Sequence, residues 1–544
     1  MTNPHYLPHP EAARQTFRSS GQWNSDILAD WLDGWARRTP AKTVVHEPTG
    51  RVTSYGELRE ASARLANALL KLGLKKGDVV AIQLWSCLEF LIAYFGVTRM
   101  GGVLATMHMP YRDGELEPLI RFAEARAVIC APPSDRYEGP ALMQRLSERI
   151  DHLEYVILAH GAPREASCLH MGEMLRSADP VRVPDPPEAK DPALLCFTSG
   201  TSAAPKGVMR GYESLLADAR VYATTIGLGE DDRSMIAPPF THIFGLECVN
   251  NAVFTGGAVV PLQRFSPETY VDALETLRPT VVYSAPAHLA ATLKSGQLQG
   301  RDLSSVRQVI LGGSICPPHI PAQFESHLPN GRVGSLFGMT EVLLVTQTEM
   351  HGDPAVRHAT VGSPVPGVEA RIVTAGGVAV DSGEEGELEL RGFTIMAGYM
   401  KNDQANATAF TADGWYRTGD LAAWDGKGNI IITGRLTDVI NRGGVKINPS
   451  DIENAITEHE SVVQAALIPL PDEVLGERIC AVVTLVPGAS LELDELCAFL
   501  AGRGIAKMRW PERLMVVGEM PMTPTRKIVK KTLQSQLGGL ARPD

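Results

Sequence analysis

The sequence predicts an α/β protein: a large N-terminal α/β domain of several parts, followed by a small C-terminal α+β domain. Three observations lead there. Short apolar runs of strand character alternate with helix-length segments, the pattern of a layered α/β domain. Later the texture turns to period-two alternation, which marks antiparallel strands. After "GRLTDVINRGGVKINPSDIENAI" (434–456) a fresh unit starts, with its own helix and strands.

Each element has a local reason. "SYGELREASARLANALLKLG" (54–73) opens with Ser54 and Glu57 spaced as a capping box. It carries Leu58, Ala61, Leu65, Leu69 and Leu72 at three-to-four-residue spacing and closes on Gly73, so it reads as an amphipathic helix. "DVVAIQL" (78–84), "RAVICA" (126–131) and "YVILA" (155–159) read as short buried strands. "GELELRG" (386–392) and "GNIIITGR" (428–435) read as antiparallel strands near the end of the large domain. In the last unit Ser450 and Glu453 are spaced as a second capping box, followed by the strands "VVQAALIPL" (462–470) and "RICAVVTLV" (478–486). The expected division is 1–436 and 437–544; no internal repeat or low-complexity tract interrupts it.

The bulk properties narrow the function. A chain of 544 residues has room for more than one domain and a large core. A net charge of −11 without a long Lys/Arg run argues against nucleic acid or an anionic membrane as the main partner and leaves small molecules. The 8 cysteines (Cys87, Cys130, Cys168, Cys196, Cys248, Cys316, Cys480 and Cys497) include no C-x-x-C pair, so reduced and mostly buried thiols are expected. The N-terminus lacks a basic-then-apolar signal, and no apolar stretch reaches the ~18 residues of a membrane span. A cytoplasmic protein is expected.

"CFTSGTSAAPKGV" (196–208) carries chemistry. Glycines let the backbone approach a polyphosphate, hydroxyls and N–H groups donate to it, and Lys206 supplies charge. A Walker loop needs Gly before the lysine and Ser or Thr after it, and Pro205 and Gly207 stand there instead.

The stretch resembles the phosphate-binding signature of the adenylate-forming superfamily, which holds acyl- and aryl-CoA synthetases, luciferases and peptide-synthetase adenylation domains. Further motifs of that family follow in order: "PPFTHIFGL" (238–246), "LGGS" (311–314), "LFGMTE" (336–341), "YRTGD" (416–420), "GRLTDVINRGG" (434–444) and "PMTPTRK" (521–527). The resemblance implies that a carboxylate reacts with ATP to give an acyl-adenylate and pyrophosphate, and that a thiol then attacks the adenylate. It assigns Thr198, Ser199, Gly200, Thr201, Ser202 and Lys206 to the phosphates, Thr340 to the α-phosphate and Glu341 to Mg2+. Gly312, Gly313, Ser314, Phe337, Gly338, Met339 and Ile432 would enclose adenine, with Asp420 and Arg435 on the ribose. Lys527 would bridge the α-phosphate, ribose and attacking carboxylate, lending charge where negative charge builds. The resemblance implies that the small domain, joined to the large one by a hinge at about Thr437, rotates after the first half-reaction and brings Gly443 and Gly444 to line a CoA tunnel.

Four departures from the family pattern stand out. Phe337 replaces a usual Tyr, Arg526 a usual Gly, Ala203 a frequent Gly, and Thr437 the usual Asp or Lys of the hinge. His242 is implied beside the carboxylate, and Ile243, Phe244, Leu336, Leu343 and Leu344 near the pocket walls are all apolar. No Asp beside His242 holds an amino group, so a neutral aliphatic, alicyclic or simple aryl acid is expected. The short segment after Lys527 leaves no room for a fused carrier domain, so the expected acceptor is CoA, or a separate acyl carrier protein. Lys507 and Arg509 could meet the CoA 3′-phosphate. A non-catalytic relative would be expected to lose Lys527 or Glu341, and an oxygen-using luciferase would be recognised by light emission.

Overall fold

The computed structural model describes residues 3–134, 137–161, 168–180, 183–198, 205–472, 474–523 and 527–537. Two largely parallel sheets form its centre. The first has eight strands, with Val79–Gln83 flanked by Val103–Thr106 and Ala125–Cys130, and Tyr155–Leu158 further out. Its other side continues through Pro192–Thr198 into the antiparallel strands Lys206–Gly211 and Tyr399–Met400. The second has seven strands and carries Val281–Ser284, Gln308–Leu311 and Arg332–Ser335 side by side in parallel. Covered on both faces by helices, such strands run almost continuously apolar, and Val79–Gln83 is buried at every position, Gln83 included.

The first capping box forms. Ser54 Oγ accepts from Glu57 N at 3.2 Å, and Glu57 returns a carboxylate oxygen to Ser54 N at 2.7 Å. The helix it starts, Tyr55–Lys71, buries Leu58, Leu65 and Leu69 completely. It packs on the helix Leu88–Arg99 at Gly96, where a Cβ would lie 3.0 Å from Leu65 Cβ.

The period-two segments form a four-stranded antiparallel sheet of Val368–Val373, Gly386–Gly392, Tyr416–Trp424 and Ile430–Arg435. A single 3₁₀ turn, Leu436–Asp438, leads from its last strand to a five-stranded sheet built on Val462–Asp472 and Gly476–Leu485. That sheet has apolar clusters of its own on its two faces.

The second capping box does not form. Pro449 already has helical angles (φ −74°, ψ −23°), so Ser450 lies inside the helix Ser450–Thr457 and cannot take the extended conformation of a cap. Its N–H is met by Asn448 Oδ1 at 3.2 Å, while Glu453 accepts from Leu467 N at 2.6 Å and pairs with Lys530 at 2.7 Å.

No described helix is long and apolar enough to cross a membrane. All eight cysteines are free thiols, five of them buried. Replacing Ser54 by Ala removes the reciprocal cap and is expected to cost about 1 kcal/mol. The check is the urea midpoint of the first unfolding transition, and a midpoint equal to wild type contradicts it.

Candidate active site

Lys206 begins the strand Lys206–Gly211, paired with Thr198 across the ladder, and its Nζ lies 5.2 Å from the Tyr399 ring centroid. The Tyr399 hydroxyl donates to Glu341 Oε1 at 2.9 Å and lies 3.2 Å from the Tyr416 hydroxyl. One tyrosine thus stands between the phosphate-motif lysine and the proposed metal-binding carboxylate. Ser199, Gly200, Thr201, Ser202 and Ala203 fall outside the described residues.

Thr340 and Glu341 sit in the hairpin Gly338–Met339/Leu343–Leu344. It is tight: a side chain at Gly338 would strike the Leu343 carbonyl, and Leu343 takes φ +65°. Arg210 holds it from below, donating from Nε and Nη2 to the Thr340 carbonyl at 3.1 and 2.6 Å, and from Nη1 to Thr394 O at 2.8 Å. Met396 N donates to Glu341 O at 2.8 Å. Burial raises the Glu341 carboxyl against the Tyr399 hydrogen bond and the charge of Arg210. Among the described residues no three His, Cys, Asp or Glu side chains gather as a metal site. A donor set of one carboxylate suits Mg2+, which keeps several waters and takes other ligands from substrate phosphates.

A crevice of about 560 Å³ runs beside this hairpin. Its walls include Gly313, Ser314, Leu336, Phe337, Gly338 and Met339 on one side, and Asp420, Ile432, Arg435 and Lys527 on another. Asp420 and Arg435 face each other across neighbouring strands, and Arg435 Nε donates to Asp420 Oδ1 at 2.8 Å. Gly313 has φ +94°, a conformation that glycine takes without strain. The crevice offers an aromatic face at Phe337, a carboxylate for two vicinal hydroxyls at Asp420 and a cation at Lys527, the three needs of a nucleotide.

Lys527 belongs to the C-terminal segment, where its N–H donates to Thr523 Oγ1 at 3.0 Å. Burial and the nearby Arg435 charge lower its ammonium pKa to about 8, partly offset by Asp420 and Glu341. Burial also raises Asp420, opposed by Arg435 and Lys527.

A second cavity of about 310 Å³ meets the first at Gly313. It is lined by His242, Phe244 and Gly312 at its inner end, and by Trp85 and the exposed Gln263 and Arg264 at the other. His242 caps the helix Ile243–Thr255, its Nδ1 accepting from Phe244 N at 3.2 Å, which leaves the ring proton on Nε2. Burial, His108 and Lys527 lower its pKa to about 3, so the ring is neutral. Ile243, Leu343 and Leu344 are buried but line neither cavity.

Gly443 and Gly444 also line neither cavity; they form the turn between Ile440–Arg442 and Val445–Ile447, with φ +58° and +88°. Arg509 is engaged with Asp451 at 2.7 Å and Lys507 is exposed. Arg526 lies outside the described residues.

Residues 32–400 match the model of the AMP-binding enzyme family and 451–527 that of its C-terminal domain. The chain belongs to the AMP-binding enzyme family. This AMP-binding enzyme is 30% identical over 535 residues to the medium-chain fatty-acid–CoA ligase of Escherichia coli (strain K12), covering 98% of this chain and 94% of the relative. It is 32% identical over 540 residues to a salicyl-AMP ligase / salicyl-S-ArCP synthetase of Mycobacterium tuberculosis (strain ATCC 25618 / H37Rv), covering 98% and 94%. Its fold matches the ATP-bound crystal structure of MatB from Rhodopseudomonas palustris with a TM-score of 0.84 and 26% identity, over 95% of this chain and 100% of that one. It is an adenylate-forming enzyme that activates an acid with ATP.

Sequence reasoning missed Tyr399, Arg210 and His108, whose ring stacks on His242 at 6.4 Å. None stands in a motif quoted for its chemistry; Arg210, two residues past Val208, was within reach as a second charge, after Lys206, in a largely buried strand.

The Lys527 pKa sets a pH dependence. The ammonium is present below about pH 8 and lost above it, so kcat/KM for ATP should fall as pH rises through that value, since this parameter follows the free enzyme. Lys527→Arg, which stays charged, should remove the descending limb. Acid-dependent ATP–pyrophosphate exchange across the alkaline range checks both, and a flat wild-type profile contradicts the assignment.

Proposed function

We propose that this enzyme converts a neutral aliphatic, alicyclic or simple aryl carboxylic acid to its acyl-adenylate and passes the acyl group to the thiol of CoA, giving acyl-CoA, AMP and pyrophosphate. The observation that carries the reading is the crevice in which Lys527, from the C-terminal segment, shares a wall with Asp420, Arg435 and Phe337. That arrangement suits the first half-reaction. A carboxylate oxygen attacks the α-phosphorus, the bond to the bridging oxygen breaks, and pyrophosphate leaves.

In this reading Phe337 stacks on adenine and Asp420 accepts from the ribose hydroxyls. Lys206 balances charge on the leaving phosphates, and Lys527 does so at the α-phosphate, where charge develops. Glu341 would hold Mg2+, which supplies charge neutralisation on the phosphate oxygens when bound. Neutral His242 offers its Nε2 proton to the acid's carboxylate.

The second half-reaction needs a thiol at the carbonyl carbon, with AMP as leaving group. The 310 Å³ cavity supports a path for it, running from exposed Gln263 and Arg264 to His242 and Gly313. We assign the hinge to Thr437, within the 3₁₀ turn Leu436–Asp438, dividing the chain into 1–436 and 437–544. Rotation there would withdraw Lys527 and bring the Gly443–Gly444 turn to the thiol path.

A carrier-protein acceptor is the second reading, favoured by the match to a relative named for carrier loading at 32% identity. AMP release with ATP, Mg2+ and a panel of fatty, alicyclic and benzoic acids, with and without CoA, separates the two. CoA-dependent AMP with an acyl-CoA mass supports the first; exchange that CoA does not turn into AMP supports the second. Lys527→Ala should lower acid-dependent pyrophosphate exchange by roughly 10²–10³-fold with an unchanged melting temperature. Wild-type exchange in that variant overturns the role given to Lys527.

A further inference from the structure

Tyr399 serves both groups assigned to the triphosphate and its metal, and the strand register explains how. The short strand Tyr399–Met400 runs antiparallel to Lys206–Gly211, with Tyr399 opposite Val208. Opposed residues share a face, and so do residues two apart on one strand, which makes Lys206 the diagonal neighbour of Tyr399. The Lys206 ammonium accordingly comes within cation–π range of the ring, at 5.2 Å. The hydroxyl at the other end of the same side chain donates to Glu341 Oε1 at 2.9 Å.

The tyrosine is fixed at both ends. Asn406 clasps its main chain, Oδ1 accepting from Tyr399 N at 2.6 Å and Nδ2 donating to Tyr399 O at 2.9 Å. Its hydroxyl, with its one proton given to Glu341, accepts from the Tyr416 hydroxyl 3.2 Å away. Tyr416 is itself buried, edge-on to Phe410 with ring centroids 5.6 Å apart, and opens the strand Tyr416–Trp424 that carries Asp420. Packing alone asks for none of this. A phenylalanine would fill the same slot and leave Glu341 Oε1 without this partner.

We propose that Tyr399 is a positioning residue that orients Lys206 with its ring face and Glu341 with its hydroxyl, so that ATP and its divalent cation are bound as one unit. The inference rests on the phosphate and Mg2+ roles given above to Lys206 and Glu341. An ammonium lying over a ring still has N–H donors on its far side, so the contact aims Lys206 without occupying it. A carboxylate that accepts one hydroxyl at Oε1 is held against rotation and keeps its other oxygen for a hard cation. Removing a partner that orients a metal ligand in this way typically lowers metal affinity by about 10–100-fold.

The test is calorimetric titration of the enzyme with ATP, in EDTA and in Mg2+, with Tyr399→Phe, Tyr399→Leu and Glu341→Gln beside wild type. Tyr399→Phe keeps the ring and loses the hydroxyl. It should bind metal-free ATP like wild type, while the tightening that Mg2+ brings shrinks by about tenfold or more. Its acid-dependent pyrophosphate exchange should need correspondingly more Mg2+ for half-maximal rate and recover as Mg2+ is raised, which a misfolded site would not do. Tyr399→Leu loses the ring as well and should bind metal-free ATP about two- to fivefold more weakly than Tyr399→Phe. If Mg2+ tightens ATP binding to Tyr399→Phe as it does to wild type, and fails to do so for Glu341→Gln, the inference falls and the metal role of Glu341 stands. If Glu341→Gln keeps the full tightening, that role fails and the inference goes with it. If no amount of Mg2+ restores exchange in Tyr399→Phe, the tyrosine is structural and the inference falls. Equal metal-free binding by the Phe and Leu variants overturns the part given to the ring.

Discussion

Arg210 is the side chain on which the catalytic end is hung. It is fully buried and spends its guanidinium on two main-chain carbonyls, Thr340 and Thr394, from segments far apart in sequence. Thr340 O leads into the hairpin that carries Glu341, and Thr394 leads to Met396, whose N–H closes on Glu341 O. Leucine at φ +65° is a backbone state that does not persist unaided, and on the other flank Asp218 Oδ2 accepts from Leu344 N at 3.4 Å. The charge also matters. Arg210 lies among Glu341, Asp218 and Glu247 and offsets part of the cost of burying them.

Two openings meet where Gly312 and Gly313 follow the strand Gln308–Leu311: the nucleotide crevice and the cavity toward Arg264. A side chain at Gly312 would meet Leu336 and Phe244 at once. The proposed two-step reaction would use such a meeting point, because nucleotide and thiol would approach one carbon from different directions. His242, neutral and held by the Phe244 N–H, adds direction there without adding a charge that the incoming carboxylate would neutralise.

Much of this was legible in the residues. Val79–Gln83 and its parallel neighbours are mostly apolar because they are covered on both faces, and that shows in composition alone. Ser54 and Glu57 were readable because capping is local, whereas Ser450 and Glu453 have the same spacing and fail because Pro449 already sits in the helix. The crevice residues were found through motifs, since Phe337, Asp420, Arg435 and Lys527 come from segments that only folding brings together. Tyr399 and Arg210 act through partners distant in sequence, which no periodicity could have marked.

The 3₁₀ turn Leu436–Asp438 gives the enzyme a very short tether between its four-stranded sheet and the C-terminal sheet. In the role proposed for Lys527, a lysine on the far side of such a tether would reach the nucleotide as an intramolecular partner, at an effective concentration fixed by linker length rather than by affinity. The contact between the two units can therefore stay weak without starving the crevice of its cation. In the proposed cycle the covalent connection would secure the arrival of Lys527, and a weak contact would permit its departure.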